Sequence, residues 1–100
     1  MTKLLVVIVN KGQAKKVVKI AQDMGAKGGT ILRGKGASVF EKKGFLGLEI
    51  EPEKDLVLIL SDYEIIKKIK TGVDAEFNLK KPNSGIAFVL NVDRVEGIVT

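Results

Sequence analysis

Apolar residues along this chain follow two rhythms. Leu4-Leu5-Val6-Val7-Ile8-Val9 is an unbroken run of leucine and β-branched residues, which predicts a strand. From Ala14 the spacing changes: Ala14, Val17, Val18, Ala21 and Met24 recur at helical intervals with lysines between them. Asn10 followed by Gln13 has the form of a capping box that opens this helix, and Gly25 is placed to end it as a left-handed cap. A second strand is expected over about Gly28 to Arg33. A third lies within "LEIEPEKDLVLIL", with Pro52, which cannot donate to a ladder, as its weak point. Ser61 and Glu64 form another capping box, and the stripe Ile65, Ile66, Ile69, Val73 and Phe77 carries a second helix to about Phe77. Gly72 interrupts that stripe at a cost of roughly 1 kcal/mol relative to alanine, so a break of the helix there is the alternative. "NLKKPNSG" is a turn-rich connection, and "GIAFVLNV" is the fourth strand.

The order is β-α-β-β-α-β. It predicts one domain over residues 1–100 of the α+β class: a ferredoxin-like βαββαβ fold, with an antiparallel four-stranded sheet and both helices on one face. Strands with one wet face should alternate apolar and polar residues, yet "LLVVIV", "LVLIL" and "IAFVL" do not. Two helices cover one face only. The other face then requires a partner chain, or it would expose an apolar patch beyond a few hundred Å².

Composition narrows the function. A hydrophobic fraction of 45% excludes a disordered chain. The absence of cysteine removes disulfides and thiolate metal sites, and the absence of histidine removes the commonest general base and transition-metal ligand. No metal site is implied. The run Leu4–Val9 is too short for a signal-peptide core or a membrane span, so a cytoplasmic protein without membrane insertion is expected. The net charge of +5 invites a nucleic-acid partner. Against it, the chain has one tyrosine, no tryptophan and no strand pattern of aromatic stacking platforms. Lys15, Lys16, Lys19, Lys67, Lys68 and Lys70 sit where a solvated helix surface explains them equally well.

The stretch "GGTILRGKGASVFEKKGFLG" (28–47) holds six of the eleven glycines. A hairpin needs two to five loop residues, so the connection from Gly34 to Gly47 is far longer than topology demands. A flexible loop is expected at about 35–46. Glycine-rich turns aim N–H groups into concavities that favour anions, which makes Gly34 and Gly36 candidates for a phosphate site. Phe40, Phe45 and Leu46 suit a partner-docking tip, or alternatively fold back on their own chain. For catalysis no nucleophile-base pair can be named. The acidic cluster Glu49, Glu51, Glu53 and Asp55 reads as an exposed strand edge, with a magnesium- or calcium-type site as the alternative. The chain is not expected to be an enzyme.

"GAKGGTILRGKG", "EPEKDLVLIL" and "NLKKPNSGIAFVLNVDRVEGI", in this order on this fold, resemble the nitrogen-regulatory P-II signalling family over nearly the whole chain. The resemblance implies a homotrimer with inward-facing sheets. It implies ATP or ADP as effector in clefts between subunits, and a loop that engages a target protein such as a transporter or an enzyme. It places Val7, Thr30, Gly34, Gly36 and Gly85 at the nucleotide, with Lys35, Lys80 and Lys81 as nearby cations that are otherwise simply solvated. The chain departs from the family pattern in three ways. Its loop is short and lacks tyrosine, and Tyr63 at a helix start is no substitute. Ile86 stands where the family has a lysine, and about Gly97 and Val99 where it has arginines, so weaker nucleotide affinity is expected. The alternative is a small basic nucleic-acid-binding module on the same scaffold. A CutA-like trimer shares the fold too, but without cysteine or histidine it has no ligands of the copper or zinc type.

Overall fold

A computed structural model of the chain describes residues 1–36, 53–82 and 84–97. The elements run β1 (Thr2–Asn10), α1 (Ala14–Asp23), β2 (Thr30–Lys35), β3 (Glu53–Asp62), α2 (Tyr63–Phe77) and β4 (Ile86–Asn91). The sheet order is β2-β3-β1-β4, and every neighbouring pair is antiparallel. Both helices pack on one face, which is the ferredoxin-like arrangement the sequence predicts.

Strand alternation sorts the central residues cleanly. Leu5, Val7 and Val9 of β1 and Val57 and Ile59 of β3 point to the helices, where Val17, Ala21, Ile66, Ile69 and Val73 close the core. On the opposite side the register lines up three apolar rows: Leu60–Leu4–Leu90, Thr30–Leu58–Val6–Phe88 and Leu32–Leu56–Ile8–Ile86. The C-terminal segment at Val92–Glu96 borders the first two rows, across a cleft from Thr30; the ends of the third stay open, with Ile86 57% exposed and Leu32 47%. The missing alternation therefore has a double origin. One apolar face is buried within the chain, and the other is left open.

Helix boundaries show where local signals yield to tertiary ones. Asn10 does not cap α1, because it is still a strand residue paired with Lys54; its Oδ1 accepts a hydrogen bond from Lys54 Nζ at 2.8 Å. Gln13 occupies the N-cap position without a side-chain bond. The cap comes instead from Asp55, whose Oδ2 accepts from the Gly12 and Ala14 amides at 2.8 and 3.3 Å. Gly25 follows α1 with φ 105°, as expected. Ser61 likewise belongs to a strand, and Asp62 precedes α2 without a capping bond. The second helix runs through Gly72 to Phe77. A Cβ at Gly72 would lie 2.8 Å from Ile20 Cγ2, so this glycine permits close approach of the two helices. Asn78, with φ 51°, ends α2 in the left-handed conformation, and its N–H donates to the Asp74 carbonyl at 2.8 Å.

The second strand is shifted relative to expectation. It covers Thr30–Lys35 rather than 28–33, so Gly34 and Lys35 are paired strand residues facing Lys54 and Glu53. Gly29 instead passes close to β3, where a Cβ would meet the Leu58 carbonyl oxygen at 3.1 Å. The described part of the third strand starts at Glu53 and extends beyond Leu60 to Asp62.

Candidate functional site at the loop base

Parallel running of β1 with β2, and of β3 with β4, brings four strand ends to one end of the sheet: Lys35, Asn10, Glu53 and Ile86. Gly34, Lys35 and Gly36 lie there on the β2 side. Lys80, Lys81 and Gly85 precede β4 at the far side, with β3 and β1 between. Three interstrand spacings separate the groups by about 14 Å. One chain alone does not bring them together.

The expected site residues have unequal situations. Val7 is 0% exposed and belongs to the helix-side core, between Val57 and Ala87. Thr30 lies on the open face at the other end of β2, opposite Leu58. It borders a cleft of about 610 Å³ shared with Gly28, Gly29, Leu58, Val92 and Arg94. Arg94 is a cation the sequence reading missed; its Nη2 pairs with Glu96 Oε1 at 2.8 Å. Gly34 has room, since a Cβ would sit 3.4 Å from Leu56 Cδ1. Gly85 is required by the fold itself: its φ is 146°, and a Cβ would meet the Ile8 carbonyl oxygen and Leu79 Cδ2, each at 3.1 Å. Lys80 and Lys81 are exposed, in a turn pinned by Ser84 Oγ donating to the Lys81 and Asn78 carbonyls at 2.7 and 2.9 Å. Phe40, Phe45 and Leu46, and the loop beyond Gly36, lie outside the described residues, as does Val99.

Opposite faces of β2 carry different chemistry. Alternation puts Gly34 and Gly36 on the open face, whereas Arg33 and Lys35 fall on the helix side. There Arg33 Nε donates to Asp55 Oδ1 at 2.9 Å and Nη1 reaches Glu53 Oε2 at 3.4 Å; Lys11 Nζ meets the same Glu53 oxygen at 3.5 Å. This corrects the reading of Glu53 and Asp55 as parts of an exposed edge. β3 is an interior strand, and Asp55 is only 2% exposed. Burial pushes its carboxyl pKa up, but the Gly12 and Ala14 amides and the Arg33 guanidinium more than offset that and hold it below the ordinary value. Asp55 thus ties the start of α1 to both stems of the loop. Among the described residues no group of His, Cys, Asp and Glu converges to hold a metal ion.

On the open face the outstanding polar residue is Lys54, which the sequence reading also missed. It pairs with Gly34 and Asn10, and its stem runs over Gly36: a Cβ there would lie 2.9 Å from Lys54 Cε and 3.2 Å from Cγ. Only the register reveals this neighbour, since 18 residues separate the two in the chain. No helix among the described residues is long and apolar enough to cross a membrane.

Comparison with solved structures finds the same fold in two PII-like proteins. A PII-like signalling protein from Thermus thermophilus superposes with a TM-score of 0.69 at 23% identity, covering 91% of this chain and 86% of its own. CPII, a nitrogen regulatory PII-like protein from Thiomonas intermedia solved with ADP, AMP and bicarbonate, gives 0.73 at 17% identity, covering 97% and 96%. No curated protein matches the chain by sequence. The family model for nitrogen regulatory protein P-II matches residues 2–100, nearly the full length, and the chain belongs to that family.

Proposed function

We propose that the chain is a P-II-type regulator that assembles as a homotrimer through the open sheet face and binds an adenine nucleotide between subunits. In this reading it acts on a target protein through the segment 35–46 and carries out no catalysis itself. The observation that carries the reading is the open face. Its apolar rows demand cover, and the loop base and the Lys80–Gly85 turn sit at opposite edges of it, where a neighbouring copy would complete a cleft. Adenine nucleotides bound to the PII-like protein of Thiomonas intermedia support the choice of ligand. Gly34, Gly36 and Thr30 would approach it from one subunit and Lys80, Lys81 and Gly85 from another, with Val7 supporting the strand from the core.

Light scattering combined with calorimetry against ATP, ADP and AMP tests the reading. A trimer mass with saturable nucleotide binding is the expected outcome. A stable monomer at micromolar concentration overturns the assembly. Salt-steep binding to RNA or DNA, with no response to nucleotides, transfers the function to nucleic acid.

A further inference from the structure

We propose that Lys54, laid across Gly36 and held by Asn10, is the cation that receives a phosphate oxyanion of the ligand at the loop-base end of the open face. The inference rests on the nucleotide-binding reading and assigns within it a residue that neither the sequence pattern nor the family resemblance nominates.

Among the described strand residues of the open face, Lys54 is the sole cation. The other strand residues of that face are the three apolar rows (with Thr30 at the edge of one), Gly34, Asn10, and Thr2 and Asp62 at the opposite end, where Arg94 of the C-terminal segment borders the cleft. Lys35, the cation the sequence points to, belongs to the other face of β2, beside Arg33 and opposite Glu53. Lys54 also has two defined neighbours. Its Nζ donates to Asn10 Oδ1 at 2.8 Å, and its methylenes occupy the space that any side chain at Gly36 would need. Gly36 therefore serves the ligand indirectly. Its missing Cβ makes room for a lysine stem, not for close approach of the backbone to a phosphate.

Electrostatics supplies the reason for an anion. Among the described residues no carboxylate lies within ion-pair distance of Lys54 Nζ; its recorded partner is a neutral amide oxygen. Covering the adjoining apolar rows with another copy withdraws water from this ammonium, and a desolvated charge without a counterion is strongly unfavourable; none of the described carboxylates supplies one. A phosphate oxygen arriving at Nζ restores the balance. Lys54 thereby takes the place of the cations missing at Ile86 and Gly97. Because it stands at the rim of the apolar surface, ligand binding and assembly reinforce each other.

The test is calorimetric titration of ADP and of adenosine into wild type, Lys54→Met, Lys54→Arg, Gly36→Ala and the Gly36→Ala/Lys54→Met double variant, each with its oligomeric state checked by light scattering. Lys54→Met should weaken ADP by at least about tenfold, in line with a lost charge-assisted hydrogen bond, while adenosine affinity stays unchanged. Lys54→Arg should recover part of the loss. Gly36→Ala should weaken ADP on its own but add nothing in the Lys54→Met background, because both changes act through one side chain. Unchanged ADP affinity in an assembled Lys54→Met overturns the proposal, as does an equal loss for ADP and adenosine. If wild type binds no nucleotide, the nucleotide reading fails. Thermal stabilisation by pyrophosphate then decides on Lys54: stabilisation present in wild type and lost in Lys54→Met upholds it, and any other result overturns it.

Discussion

The two faces of this sheet both have an apolar centre, and they stand in opposite circumstances. On the helix side, Leu5, Val7, Val57 and Ile59 are fully buried, and the one carboxylate among them, Asp55, is satisfied by two amides and a guanidinium. On the other side, Leu32, Leu60, Ile86, Phe88 and Leu90 are each 39–57% exposed, and Lys54 meets only an amide oxygen among the described residues. The centre of the first face is complete within one chain, although Ile31 at its β2 edge is 50% exposed. The second keeps its apolar rows partly open, and the proposed assembly would cover them. Such a contrast separates residues whose effects are independent of protein concentration from residues whose effects depend on it.

Truncating one residue on each face gives the largest effects and the sharpest comparison. Ile59→Ala opens a hole in the chain's own core and should cost about 2–5 kcal/mol in urea unfolding, with the same loss at every protein concentration. In the proposed assembly Phe88→Ala should act between copies: a small change in the dilute chain, and a lower oligomer fraction by light scattering. Equal, concentration-independent losses from both would erase the distinction between the faces.

Asp55 comes next. Its replacement by alanine strands the Gly12 and Ala14 amides and the Arg33 guanidinium, removing a helix cap and charge-assisted hydrogen bonds together. The expected loss is roughly 2–4 kcal/mol in chemical denaturation. The pH dependence follows from the direction of its shift. A carboxyl whose folded pKa is lowered contributes its full stability above the ordinary carboxylate range, and that contribution is lost as pH falls through the lower folded value. Wild type should therefore lose stability on acidification, and Asp55→Asn should flatten that slope. An unchanged slope in Asp55→Asn would assign the acid sensitivity to other carboxylates.

Asp55 also marks the limit of what the sequence discloses. Periodicity predicts all six elements, the passage of α2 through Gly72, the Gly25 cap and the uncovered face, since each depends on residues near one another in the chain. Both expected capping boxes fail because Asn10 and Ser61 are held in strands. The actual cap for α1 comes from a residue 41 positions away, which no local pattern encodes. The site is legible to a similar extent. The glycines mark the loop base, but their roles depend on register: Gly85 serves a backbone approach, Gly36 a lysine stem, and Lys35 turns to the opposite face. Lys54, one lysine among many in the sequence, becomes distinctive only when β3 is placed between Gly34 and Asn10.

Gly72 and Ile20 give a smaller effect, confined to the helix side. Alanine at position 72 gains roughly 1 kcal/mol of helix propensity, yet its Cβ would meet Ile20 Cγ2 at 2.8 Å, and overpacking of this kind costs about 1–3 kcal/mol. Gly72→Ala should be destabilising by about 1 kcal/mol, and Ile20→Val in the same chain should recover part of it. A stabilised Gly72→Ala in thermal unfolding would mean that the helices separate without penalty.

Gly34 offers the finest discrimination. It is a paired strand residue without a left-handed φ, and a Cβ would make ordinary contact with Leu56 Cδ1 at 3.4 Å. Alanine there loses little packing space and restricts the unfolded chain more than glycine does, a gain of about 0.4–1 kcal/mol that any local crowding reduces. Gly34→Ala should thus leave stability within about 0.5 kcal/mol of wild type or slightly above it. Its effect on nucleotide titration is the informative part. A glycine whose role is only to continue β2 tolerates the methyl group, and binding persists; a glycine against which a ligand lies directly does not. Retained stability with lost nucleotide binding would put the ligand on the backbone of β2 itself, nearer the apolar rows than Lys54. Retention of both would leave the strand as scaffold and move recognition to the polar end of the open face.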